Sequence, residues 1–145
     1  MKLTRGGEYG IRGVLYLAQQ NDGKVSMLSA IAKAQDVPPR FLAKIFQALA
    51  KAGVVKSHRG AKGGFSLARP SSEITIKDVI EAIEGPIHLN VCLVAEGECD
   101  RDHFCPVHSV WEDAQEKMMD VLSRKSFAEL AKEEREAQSA LAVAK

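Results

Sequence analysis

Apolar residues recur at helical spacing through most of the first fifty positions of this chain. Over residues 5–20, Tyr9, Val14, Leu15, Leu17 and Ala18 make one apolar side, with Gly10 and Gly13 as weak points. Asn21-Asp22-Gly23 is a turn. Ser26 reads as the N-cap of a second helix through Ala34, with Leu28, Ile31 and Ala32 facing inward. Gln35-Asp36-Val37-Pro38 breaks that helix. A third begins near Pro39, where a first-turn proline is tolerated, and runs to about Ala52. Phe41, Leu42, Ile45, Phe46 and Leu49 trace its buried face, and Gly53 ends it.

The pattern then changes to short strands. Val54-Val55-Lys56-Ser57 and Phe65-Ser66-Leu67 read as a pair joined by the basic loop Arg59-Gly60-Ala61-Lys62-Gly63-Gly64. Two helices joined by a tight Asp-Val-Pro turn form a helix-turn-helix candidate, and the strands with their loop form its wing. The third helix is the expected recognition helix. Arg40 and Lys44 lie one turn apart near its start, where they address base edges and phosphates. Arg59, Gly60 and Lys62 place charge and a flexible backbone at the wing tip, within reach of phosphates or a minor groove. The competing reading of Gly60–Gly64, a nucleotide phosphate loop, lacks the Gly-Lys-Ser/Thr ending and a following helix.

Helical spacing returns at Thr75-Ile76-Lys77-Asp78, a capping box ahead of Val79, Ile80 and Ile83, and stops at Gly85-Pro86. Residues 86–105 show no period. From 107 to 123, Val107, Trp111, Ala114, Met118 and Val121 alternate by four and three, and Val110 and Leu122 widen the stripe. A small winged domain offers little surface to cover so long a seam, so a homodimer helix is expected. Twofold symmetry also suits a reader of two operator half-sites. Ser126-Phe127-Ala128-Glu129 caps a last short helix, and an alanine-rich tail from Ala137 is expected to fray.

The fold expected is mainly α with a small β-wing. A winged helix-turn-helix domain covers 1–85, a ligand loop 86–108, a dimerisation helix and C-terminal helix 107–136, and a disordered tail 137–145.

Charge divides along the same line. The formal net charge is +1, yet residues 1–70 carry +9 and residues 71–145 carry −8. Only the front half is suited to a polyanion such as double-stranded DNA. No segment has the length of a membrane span, and Glu8 and Arg12 interrupt the amino-terminal stretch that would otherwise imitate a signal peptide.

The acidic half holds all three cysteines. Cys92, Cys99 and Cys105, with His108, fall inside seventeen residues. An odd count cannot pair fully within one chain, which points to a reducing cytoplasm. Four soft donors in one loop can enclose one metal ion or one iron–sulfur unit. A structural Cys3His zinc site is the chief rival, although Glu96, Glu98, Asp100 and Asp102 make the loop unlike an RNA-binding finger. A metal-free thiol switch is a third reading. His88 and His103 are further donors in the segment. An enzyme built on a Cys105–His108 nucleophile–base pair has no evident oxyanion loop or third orienting group, so a non-enzyme is expected.

Taken together, Met1-Lys2-Leu3-Thr4, the Arg59-Gly60…Gly63-Gly64-Phe65 wing, Thr75 to Ile83 and Cys92…Cys99…Cys105-x-x-His108 closely resemble the IscR/NsrR/RirA-type regulators of the Rrf2 family. The resemblance covers roughly residues 1–130. It implies a homodimeric winged-helix transcription factor that binds operator DNA and carries an iron–sulfur cluster. By the IscR-type pattern, Cys92, Cys99, Cys105 and His108 would hold a [2Fe-2S] cluster, and the regulated genes would include those for cluster assembly. Here six residues separate Cys92 from Cys99, where the IscR-type pattern usually has five. By the NsrR-type pattern, Glu8 of the partner subunit would supply the fourth ligand of a nitric-oxide-sensitive [4Fe-4S] cluster. His108 is the expected fourth ligand because its spacing matches.

Overall fold

The computed structural model describes residues 2–144, so Met1 of the leading Met-Lys-Leu-Thr and Lys145 of the tail lie outside the described residues. The order is α1 (Arg5–Gln19), α2 (Leu28–Gln35), α3 (Pro39–Lys51), β1 (Val55–His58), β2 (Gly64–Leu67), α4 (Ile76–Glu84), α5 (His108–Arg124) and α6 (Phe127–Ala144). The two strands pair antiparallel with Val55 opposite Leu67 and His58 opposite Gly64.

Thr4 caps α1 by accepting a bond from the Gly7 amide, and its own amide donates to Glu84 at the end of α4. The two glycines of α1 are contact points. A Cβ on Gly10 would stand 2.1 Å from Ile83 Cδ1, and one on Gly13 would stand 2.6 Å from the Phe46 ring. Their missing side chains let α1 lie directly on α4 and α3, which outweighs the helix propensity that glycine forfeits. Val14, Leu17, Ile31, Leu42, Phe46, Leu49, Val54, Ile74 and Val79 fill the core beneath.

The wing is fastened to the helix-turn-helix by backbone. Ser26 and Phe65 exchange two hydrogen bonds, of 2.8 and 2.9 Å, and Phe65 packs edge-on against Phe46. Ser26 is therefore not the cap of α2. That place falls to Met27, which makes no side-chain cap bond. Two ladder bonds satisfy more backbone than one hydroxyl cap can. Phe41 also departs from expectation: it is 61% exposed. Adjacent positions on a helix diverge by about 100°, and Leu42 takes the inward one.

Further along the winged unit, Thr75 and Asp78 form the expected capping box of α4. Residues 86–107 contain one 3-10 turn, Val91–Leu93, and otherwise no helix or strand. α5 has no buried residue along its seventeen positions.

The last helix is longer than expected and serves a different domain. It has eighteen residues where a short helix and a frayed tail were expected, because alanine, glutamate and lysine sustain helix without partners. Its first turn belongs to the core of the winged unit. Phe127 and Ala131 are fully buried, the Phe127 amide donates to Ile74 O at 2.8 Å, and Gln19 bonds Glu134. The boundary at residue 85 thus does not close the first domain. The chain leaves it for the cysteine loop and α5, then returns.

Phe127→Ala is predicted to destabilise the whole winged unit by roughly 3–5 kcal/mol, the usual cost of emptying a buried aromatic site. Urea unfolding with probes in α1 and α6 should shift together. A shift confined to α6 would refute a shared core.

Candidate cysteine-lined centre and nucleic-acid interface

The basic side chains singled out from the sequence reach solvent on two adjoining elements. Arg40 and Lys44 are exposed in the first two turns of α3, and Arg59, Gly60 and Lys62 are exposed in the wing loop. Among the described residues none of these four cations is engaged in an ion pair. They keep their full charge for an external anion, and the helix N-terminus adds to the positive field. Gly60 turns the loop with φ 104°, a conformation that other residues strain to adopt, and its carbonyl accepts from Gly63 N at 2.9 Å. Inside the wing, His58 Nε2 and Ser66 Oγ meet at 2.8 Å and tie the two strands together.

The exposed Phe41 was missed by pattern reading. With Thr4, Arg5, Tyr9, Lys44 and Ile45 it lines a groove of about 380 Å³ between the start of α1 and the face of α3. An apolar ring between two cations is suited to the methyl-bearing edge of a base.

The loop brings the four predicted donors to one place. Cys92, Cys99, Cys105 and His108 line a single cavity of about 80 Å³, together with Asn90, Val91, Asp102 and Trp111. Local structure explains the convergence. Asn90 caps the 3-10 turn that carries Cys92, and the Cys105 amide donates to Arg101 O at 2.8 Å in the turn that follows Cys99. The His108 amide donates to Cys105 O at 3.2 Å as α5 begins. The Leu89 amide donates to Gln115 on α5 at 2.9 Å, which holds the loop's start against that helix. All three thiols are free. Among the described residues no three His, Cys, Asp or Glu groups sit close enough together to hold a metal ion, so the donors surround a void rather than a point.

Burial pushes the Cys92 thiol above its ordinary range, and negative charge at Cys99, Cys105 and Asp102 pushes it the same way. Without a cation this position favours the protonated thiol. His108 lies with Nε2 3.2 Å from Oε1 of Glu112, while its Nδ1 is buried and has no hydrogen-bond partner. From the sequence, Asp102 is one of four acids that lie between the cysteines. Its side chain is only 6% exposed, Oδ2 accepts from the Gly97 amide at 2.8 Å, and Oδ1 lies 3.3 Å from Nε2 of His103 without a hydrogen bond. No signal in the sequence separated it from Asp100. For Glu112 the signal was present, as the i+4 spacing from His108. His88 and His103 do not line the small cavity, and neither does Glu8, whose carboxylate pairs with Arg12 at 2.8 Å. Leu93, Glu96, Gln115 and Met119 contribute to a second, outer cavity of about 560 Å³ that Cys92, Asp102 and His108 also line.

Two predictions follow from this geometry. In metal-free protein at neutral pH, Cys92 should be alkylated by iodoacetamide more slowly than Cys99 and Cys105, and raising the pH should speed it, since only the thiolate reacts. Peptide mass spectrometry reads the order, and Cys92 reacting first would contradict it. On the other face, Arg59→Ala should weaken operator binding by roughly 1–3 kcal/mol if the contact is base-specific, and affinity should fall steeply with salt. Unchanged binding by an Arg59→Ala, Lys62→Ala double variant would remove the wing from the interface.

Comparison with known proteins agrees with this architecture. The family model Rrf2, described as an iron-dependent transcriptional regulator, matches residues 3–133. The transcriptional regulator IscR of Vibrio campbellii is 31% identical over 133 residues, covering 92% of this chain and 79% of that protein. Among solved structures, IscR of T. potens superposes with a TM-score of 0.76 at 32% identity, over 95% of this chain and 91% of that one. CymR, the global cysteine regulator of B. subtilis, superposes with a TM-score of 0.73 at 29% identity, over 91% and 97%. No helix among the described residues is long and apolar enough to cross a membrane. A helix-turn-helix with a basic wing, matched across nearly its whole length, places the chain in the Rrf2 family of winged-helix, DNA-binding transcriptional regulators.

Proposed function

We propose that this regulator senses an iron–sulfur cluster, with Cys92, Cys99, Cys105 and His108 as the ligands of a [2Fe-2S] group, and that it works as a homodimer on operator DNA. The observation that carries the reading is the cavity of about 80 Å³ that all four donors line. A lone zinc ion needs its donors within about 2.0–2.3 Å of one point. A void with room for more than one water suits a group of several atoms. The relatives named IscR and the iron-dependent description of the family point the same way.

A [2Fe-2S] group, when bound, supplies metal–ligand bonds that depend on iron supply and redox state. The rest follows from the chain. Cys92 to Cys105 are loop residues, and His108 is the first residue of α5. Fixing them together fixes the direction in which α5 leaves the loop. Val107, Val110, Trp111 and Val121 of that segment are between 39% and 62% exposed, and a second copy of α5 is their proposed cover. The partner's winged head is then held at a separation set by the loop, which couples the ligand state to the choice of operator. Genes for cluster assembly, or for related stress responses, are the proposed targets.

The test is anaerobic purification followed by visible spectroscopy and iron and sulfide analysis. Wild-type protein should be coloured, and Cys92→Ala, Cys99→Ala or Cys105→Ala should each lose colour and iron while keeping helical circular dichroism. Colourless wild-type protein with one zinc per chain would replace the reading with a structural Cys3His site. Loss of the cluster in Glu8→Ala but not in His108→Ala would replace it with an NsrR-like [4Fe-4S] centre whose fourth ligand is Glu8.

A further inference from the structure

The chemistry of His108 is set by a neighbour that the ligand set does not include. His108 opens α5, and Glu112 stands four residues on, one turn along the same face. The distance from Nε2 to the Glu112 carboxylate is 3.2 Å. Glu112 lines the outer cavity of about 560 Å³ and has no part in the small one. His108 lines both. His108 thus borders both the cavity that holds the carboxylate and the one that holds the three cysteines, as Cys92 and Asp102 also do.

The two ring nitrogens have unequal surroundings. Nε2 lies 3.2 Å from a carboxylate oxygen, and an ionised carboxylate accepts but does not donate. The ring hydrogen belongs on Nε2. Nδ1 then keeps its lone pair, and this atom is buried with no hydrogen-bond partner. A buried polar atom left in this state costs free energy unless something takes it up.

An exposed i,i+4 pair is by itself ordinary on this helix. Asp113 pairs with Lys117 and Asp120 with Arg124 in the same manner. Neither places a buried, unpartnered atom at the edge of a cysteine-lined cavity. The orphaned Nδ1 separates the His108–Glu112 pair from these surface pairs.

We infer that His108 presents Nδ1, not Nε2, as its ligating nitrogen, and that Glu112 is the positioning residue that fixes this tautomer and ring orientation. The inference rests on the cluster reading above and deepens it. Histidines that bind metal commonly donate their second ring N–H to a carboxylate, which orients the ring and makes it a stronger ligand. Glu112 performs that role here without touching the bound group.

The experiment uses full-length protein with histidine labelled with nitrogen-15 at Nδ1 or at Nε2, in wild type, Glu112→Gln, Glu112→Ala and His108→Ala. In metal-free wild type, the nitrogen NMR shifts of His108 should report a protonated Nε2 and an unprotonated Nδ1. Glu112→Ala should give a mixture of tautomers. Glu112→Gln, whose amide oxygen still accepts, should stay near wild type. In reconstituted, reduced protein, pulsed EPR should show strong coupling from the Nδ1 label and weak coupling from the Nε2 label. Glu112→Ala should lose its cluster to a chelator roughly tenfold faster or more, in line with other partners of ligating histidines. Strong coupling from Nε2, or a Glu112→Ala protein matching wild type in tautomer, coupling and loss rate, overturns the inference. Failure of the parent reading looks different. Wild type would stay colourless on reconstitution, or His108→Ala would keep the wild-type spectrum, and either result removes the proposed ligation even where NMR finds the tautomer intact.

Discussion

Everything in this molecule hangs on the close crossing of α1 over α3 and α4. At Gly10 and Gly13 no side chain separates the helices, and Ile83 and Phe46 occupy the space instead. That contact fixes the recognition helix relative to the amino terminus. It also fixes α4, whose far end launches the cysteine loop. Interiors pack too densely to absorb an added methyl at such a crossing without moving neighbours. One contact thus sets the relation between the exposed basic surface and the cysteine centre within a single chain.

The two surfaces are opposite in character, and their physics differs accordingly. The basic face is built for long-range attraction: its cations are exposed, unpaired among the described residues and carried by an ordered helix and a pinned wing. The cysteine centre is built for short-range bonding. Its thiol at Cys92 is buried and driven toward its neutral form, Asp102 holds a nearly buried carboxylate beside it, and His108 keeps a nitrogen without a partner. Each of these features is unfavourable alone. A cationic group bound among them would relieve all three, since thiolates, carboxylate and lone pair are electron donors.

α5 is a helix with no buried residue that nonetheless carries Val110, Trp111 and Val121. It starts at a proposed ligand and ends just before Phe127, which is locked into the winged core. The chain is therefore anchored at both ends of the segment.

Residue order alone determined the elements and the chemistry. Proline at 39, the capping box at Thr75 and Asp78, the period of the third helix and the basic loop between two strands each act locally, so each was legible before any packing was known. The clustering of Cys92, Cys99, Cys105 and His108 was equally plain, because ligands from one loop need no long-range fold to be neighbours. Tertiary structure alone decided the rest. Gly10 and Gly13 read as weaknesses until Ile83 and Phe46, thirty and more positions away, were placed against them. Ser26 read as a helix cap until Phe65 offered its backbone two bonds. Asp102 was indistinguishable from Asp100 until the turn folded one of them inward, and α6 read as a short separate helix until Phe127 found the core. Periodicity reports which side of an element is apolar. It carries no information on what distant segment will cover that side, because that choice is made by packing among residues far apart in sequence.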